Sequence, residues 1–203
     1  DIQPFGVHIT LMKSTFLSLL VLSFVTIEFN LTAKAGDWPQ WRGSERDGIS
    51  KEKGLLAKWP EGGPALSWKA TGLGVGFSSV AVSKRVIYTL GDLEDGSCVI
   101  ALSEKDGSVI WKSRIGDAGG HKGYPGTRST PTVDGGQVFA LNQHSDIACV
   151  DAISGKLLWK KNLVTDFGGK MMSGWKYSES PLVDEDRVIC TPGGKNGTLV
   201  ALS

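Results

Sequence analysis

The sequence predicts an all-β fold, a β-propeller of four-stranded antiparallel blades. Three observations carry this: a long motif that repeats, turn residues that punctuate short apolar runs, and no helical periodicity beyond residue 36. "ALSEKDGSVIW" (101–111) has a near-copy in "CVDAISGKLLW" (149–159), which sets Gly107 and Gly155, and likewise Trp111 and Trp159, 48 residues apart. A second register agrees, because "STPTVDGGQVFAL" (129–141) matches "ESPLVDEDRVICT" (179–191) and separates Pro131 from Pro181 by 50 residues. An earlier copy, "SSVAVSKRVIYTL" (78–90), lacks the proline, and "LVALS" (199–203) repeats "VIALS" (99–103). Repeats of this period mark arrays of one supersecondary unit.

Taken from the N-terminus, the chain first shows a segment with no place in that array. Met12 and Lys13 open a short positive region, Phe16 to Ile27 (FLSLLVLSFVTI) is almost wholly apolar, and Ala33-Lys34-Ala35 supplies small residues ahead of Gly36. This is the layout of a cleaved secretory signal over residues 12–35, and a dozen apolar residues are too few for a stable membrane span. Residues 1–11 precede the start and read as non-structural upstream sequence. The mature domain is expected over residues 36–203, in the periplasm or outside the cell.

Pro64 to Thr71 (PALSWKAT) has the look of a fourth strand without its first three, and its Trp68 precedes Trp111 by 43 residues. The best-preserved unit then resolves into Thr130–Val133, a turn at Asp134-Gly135-Gly136, Gln137–Leu141, Ile147–Ala152, a turn at Ser154-Gly155, and Lys156–Lys160. Asp-Gly, Ser-Gly and Asn-Gly tolerate the positive φ that tight hairpins require. Four strands in some 48 residues make one propeller blade. A blade cannot bury both faces alone, so each Trp is expected to wedge the gap between neighbours and each turn Gly to permit close approach. Trp68, Gly107, Trp111, Gly155 and Trp159 are therefore assigned to blade docking.

Composition narrows the function. A net charge of +1, with 21% charged residues and no basic block, gives no grip on nucleic acid. Cys98, Cys149 and Cys190 lie in apolar runs and read as small buried hydrophobes, with one disulfide among them left open. Three His, one of them upstream of Met12, form no metal cluster, so no metal site is assigned. "GLGVG" (72–76) leads into a strand instead of a helix, which removes a dinucleotide reading, and "DFG" (166–168) lacks any kinase context.

The 101–111 and 149–159 motifs resemble the A-L-D-x-x-T-G-x-x-x-W repeat of the PQQ-binding-like β-propeller family, which includes quinoprotein alcohol dehydrogenases and the propeller lipoprotein of outer-membrane barrel assembly. "DWPQWRGSERDGIS" (37–50) is similar to secreted members labelled polyvinyl-alcohol dehydrogenases. The resemblance implies eight blades, of which about two and a half are present, so the chain reads as an N-terminal fragment. It also implies where chemistry sits, on the loops that join one blade's fourth strand to the next blade's first. Here those are Gly116–Arg128 and Thr165–Tyr177. Long loops on a rigid scaffold are where binding groups lie, and these carry His121, Lys122, Tyr124 and Arg128 in one and Lys170, Trp175 and Lys176, with Glu179 just beyond, in the other.

Two functional readings stand. One is a non-catalytic module that binds a protein, glycan or small molecule at the channel face. The other is a PQQ-dependent alcohol dehydrogenase, in which the resemblance implies PQQ stacked between a Trp and a disulfide of adjacent Cys, beside Ca²⁺ held by Glu, Asn and Asp. No adjacent Cys occur here, and no catalytic residue can be assigned; Asp166 and Glu179 are not singled out by any motif.

Overall fold

The computed structural model describes residues 36–203, so the expectations for residues 1–35 lie outside the described residues. The first sheet runs β1 (Ala81–Ser83), β2 (Val86–Leu93), β3 (Gly96–Ser103) and β4 (Val109–Gly116), each antiparallel to the one before. The second repeats that order with β5 (Thr132–Asp134), β6 (Gln137–Leu141), β7 (Asp146–Asp151) and β8 (Leu157–Asn162). A third contains β9 (Leu182–Asp184), β10 (Arg187–Cys190) and β11 (Val200–Leu202), with β10 in the middle. These are propeller blades, and none of the described residues forms a helix. No helix among them is therefore long and apolar enough to cross a membrane.

The central strands are apolar on both faces because each sheet is sandwiched. In β3, Val99 and Ala101 face a cluster with Val138, Ala140, Ala148 and Val150 of the second sheet. The alternate residues Cys98, Ile100 and Leu102 turn the other way, toward Leu73 and Ile87. The second sheet divides in the same manner, with Phe139, Leu141, Ile147 and Cys149 packing toward Val188 and Cys190 of the third. A period of two with both phases apolar produces the unbroken run "CVIAL", which alternation alone would not mark as a strand.

A repeated joint locks the sheets. The Trp111 indole, at the outer strand of the first sheet, lies over Gly155 in the β7–β8 turn of the second, and its Nε1 donates to Ala152 O at 3.2 Å. A Cβ on Gly155 would meet the ring at 2.6 Å, and one on Gly107 would meet the Trp68 ring at 2.5 Å. Trp68 Nε1 correspondingly donates to Glu104 O at 3.0 Å. The glycine that each indole covers thus belongs to the following sheet, not to the turn preceding the Trp in its own. Both glycines also hold positive φ, +70° at Gly107 and +72° at Gly155, so two independent constraints demand Gly. Trp159 sits against Phe139 with ring centroids 6.1 Å apart, and the third sheet's described residues include no equivalent turn for it to cover.

Pro64–Thr71, read as a fourth strand without its first three, pairs with none of the described strands, and its Trp68 docks as a fourth-strand Trp does. The inner hairpins also do not all use Gly: Gly135 and Gly136 serve β5–β6, whereas Lys84 and Arg85 adopt φ of 49° and 66° between β1 and β2. The Asp37 carboxylate answers this by accepting from Lys84 N and Ser83 Oγ, both at 3.0 Å. Asp37 starts a strap that crosses the innermost strands. Trp38 and Val82 exchange two backbone bonds of 2.8 Å, Val133 N donates to Pro39 O at 2.8 Å, and Arg46 Nη2 donates to Pro181 O at 2.7 Å.

The three thiols are buried and unpaired, one in each sheet. Burial pushes Cys98 and Cys149 up to about 11 and Cys190 to about 12. A raised thiol contributes stability that is present below the ordinary thiol range and lost as pH climbs through the folded values. Stability is therefore expected to fall between about pH 9 and pH 12, and a disulfide reagent at about pH 8 should modify these thiols only after unfolding. Trp111→Ala should destabilise the full-length protein by about 3–5 kcal/mol, the range for emptying a large aromatic site. Gly155→Ala should act at the same joint, costing about 1–3 kcal/mol for the left-handed backbone alone, and chemical denaturation would measure both.

Candidate functional site

Antiparallel order puts the β4–β5 and β8–β9 loops on the same edge as the β2–β3, β6–β7 and β10–β11 turns. Residues 72–78, which lead into β1, join them there: Val75 bridges Asp92 at the end of β2, and Gly76 bridges Thr127. These loops lie backbone on backbone. A Cβ on Gly126, whose φ is +93°, would come 2.6 Å from the Val75 carbonyl carbon.

Close loop packing gathers aromatic rings that sequence keeps far apart. His121 and Trp175 stack with centroids 4.9 Å apart and planes within 14°. Tyr124 completes a triangle at 5.9 Å from His121 and 5.4 Å from Trp175. Phe77 extends it, edge-on to Tyr124 at 6.0 Å. Phe77, Tyr124 and Trp175 come from the loops entering three successive sheets, so the rings form an arc across the blades. All three remain open to solvent, at 59%, 50% and 54% exposure, where a hydrophobic core would have covered them. Such an apolar patch on a polar loop edge is a mark of an interaction surface.

Arg128 supports the arc. Its guanidinium lies 5.9 Å from the Phe77 ring centre and donates to Tyr124 O and to Gly126 O, which folds the loop under Tyr124. Of the other predicted site residues, Lys122 and Lys170 are exposed, and Lys170 is tethered by its own N–H to Pro192 O at 3.0 Å. Lys176 is half-buried and holds a φ of 70°. Among the described residues none of these three lysines enters a salt bridge, and all three lie on the loops that carry His121, Tyr124 and Trp175. Glu179, expected as a ligand-binding group, also makes a structural bond. One carboxylate oxygen accepts from Thr191 N at 2.6 Å, which pins the start of the β10–β11 connection. Tyr177 is buried with its hydroxyl donating to Pro192 O at 2.9 Å, and burial pushes its phenol above the ordinary range.

Phe77 is the ring that sequence reasoning missed. In the inner-strand repeat it stands where "TRSTPTV" has Arg128, and aligning "GFSSVAV" with that stretch would have placed both at one radial position. That alignment also pairs Glu179 with Ser78 and Ser129, each of which makes a local hydrogen bond.

The described residues do not fit the PQQ and Ca²⁺ set that the family resemblance implies. Trp175 could stack on a planar ring, but one face is already covered by His121. The three cysteines are buried in separate sheets, and no three His, Cys, Asp or Glu side chains among the described residues converge on a cation.

Known proteins agree with this architecture. A quinohemoprotein alcohol dehydrogenase from Comamonas testosteroni superposes on 78% of this chain and 24% of its own, with a TM-score of 0.54 and 18% identity, a likeness of fold. Outer membrane protein assembly factor BamB of Moranella endobia is 28% identical over 156 residues, 73% of this chain and 39% of that protein. The Escherichia coli protein of the same name is 35% identical over 78 residues, 36% of this chain and 20% of its own. The chain thus spans about two fifths or less of the length of these relatives. Residues 67–203 match the family model described as outer membrane protein assembly factor BamB, and with its repeated blades the chain belongs to that PQQ-like β-propeller family.

Proposed function

We propose that this chain is a non-catalytic binding module that docks a partner protein on its loop edge, outside the cytoplasm. The observation that carries the reading is the arc of exposed rings, Phe77, Tyr124 and Trp175, contributed by three successive loops. Rigid aromatic side chains supply large contact area at small entropic cost and dominate the energetics of protein interfaces. The rim of Lys122, Lys170 and Lys176 favours an acidic surface and would speed encounter with it. The leader-like residues 12–35 support export, and the relatives' role as outer membrane protein assembly factors supports a protein, not a small molecule, as the bound species.

The test uses the full-length protein in its native host, with a photo-crosslinking amino acid in place of Tyr124 and, as a control, of Ser154 on the opposite edge. A discrete protein adduct is expected from position 124 and none from 154. Trp175→Ala should weaken the captured complex by about 2 kcal/mol, or about 30-fold. If no adduct forms, the docking reading fails; if added PQQ and Ca²⁺ produce alcohol-dependent dye reduction that Trp175→Ala abolishes, the dehydrogenase reading replaces it.

A further inference from the structure

The arc is carried by three separate loops, yet one buried polar pair touches all three. Asp92 exchanges backbone bonds of 2.9 and 2.8 Å with Val75, two residues before Phe77. Its nearly buried carboxylate accepts from Ser97 Oγ at 2.5 Å, Gly119 N at 2.7 Å and Gln143 Nε2 at 2.9 Å. Gly119 belongs to the loop of His121 and Tyr124. Gln143, wholly buried in the β6–β7 turn, donates again to Gly119 O at 3.1 Å, and its own carbonyl accepts from Tyr177 N, at 3.3 Å, at the base of the Trp175 loop.

We infer that Asp92 and Gln143 are the positioning residues of the loop edge, setting the spacing of the three rings; this builds on the docking reading. Desolvating a carboxylate among neutral donors is unfavourable unless each bond is made, and an apolar pair would fill the same seam between the first two sheets more cheaply. An apolar pair would keep the main-chain bonds to Val75 and Tyr177 but lose the side-chain hold on Gly119, in the loop of His121 and Tyr124. Two of the carboxylate's three donors, and all of Gln143's remaining bonds except the two it shares with Ser97, involve the loops or the turn beneath them. The bonds therefore act on where the rings stand, while the sheets are held by their own cores.

Nuclear magnetic resonance of the full chain would test this without any partner. Stacking on Trp175 should shift the His121 ring protons upfield, and Trp175→Ala, which removes the stack, calibrates the size of that shift. Asp92→Ala removes the acceptor that Gly119 N and Gln143 Nε2 share. It should remove most of the His121 shift and speed amide exchange at Gly119 and Tyr177 by about tenfold or more, the scale of one buried hydrogen bond. Val99 and Ala148, in the sheet cores, should keep their protection. A His121 shift retained in Asp92→Ala overturns the inference. Should that variant fail to fold, Ser97→Ala, which deletes one donor to Asp92, is read by the same two signals with the same meanings. Loss of the His121 shift together with no crosslink at position 124 would sink the docking reading alone.

Discussion

Seating an indole on a glycine of the next sheet is the contact on which the rest of this structure depends. Each sheet has central strands apolar on both faces, so none is a stable body by itself, and the joint decides how closely two such faces approach. A methyl group at Gly107 or Gly155 would stand within 2.5 or 2.6 Å of the ring that covers it. The joint is also directional, because Trp68 and Trp111 each reach forward in sequence to the following sheet. Register therefore passes along the array from one unit to the next, and the small residues Ala101, Ala140 and Ala148 fit the narrow gap that results.

The two edges of the sheets divide the work. The β3–β4 and β7–β8 turns, which hold the covered glycines, lie opposite the loops that hold the rings. Substitutions on the loop edge leave the joints untouched, which is how a scaffold of fixed geometry can present variable chemistry. Asp92 and Gln143 stand between these roles: they are rooted in strand end and turn, and their hydrogen bonds govern loop backbone.

The array was legible because packing between sheets imposes a spacing on Trp and Gly, and spacing survives in a one-dimensional string. The inner hairpin at Gly135-Gly136 could be read from residue type; the one at Lys84-Arg85 could not, because its partner Asp37 is 47 residues away. The same limit hid most of the site. His121 and Trp175 are each visible as aromatic loop residues, but their stacking follows from loop crossings that leave no periodic trace. Phe77 was concealed because its equivalent in the next unit is an arginine. Glu179 shows a related limit: that one of its carboxylate oxygens serves Thr191 N cannot be read from the sequence of a long loop.

The strap at Asp37–Arg46 places a demand on the order of assembly. It holds Val82, Val133 and Pro181, and its last bond joins residues 135 apart in the chain. As the polypeptide is made, the strap precedes its anchor at Pro181, beside the third sheet, by 135 residues. Closing so long a loop early would lose chain entropy with nothing to offset it. The strap is thus a late arrival in space despite its early place in sequence, a clasp fastened across inner strands that the Trp joints have already aligned.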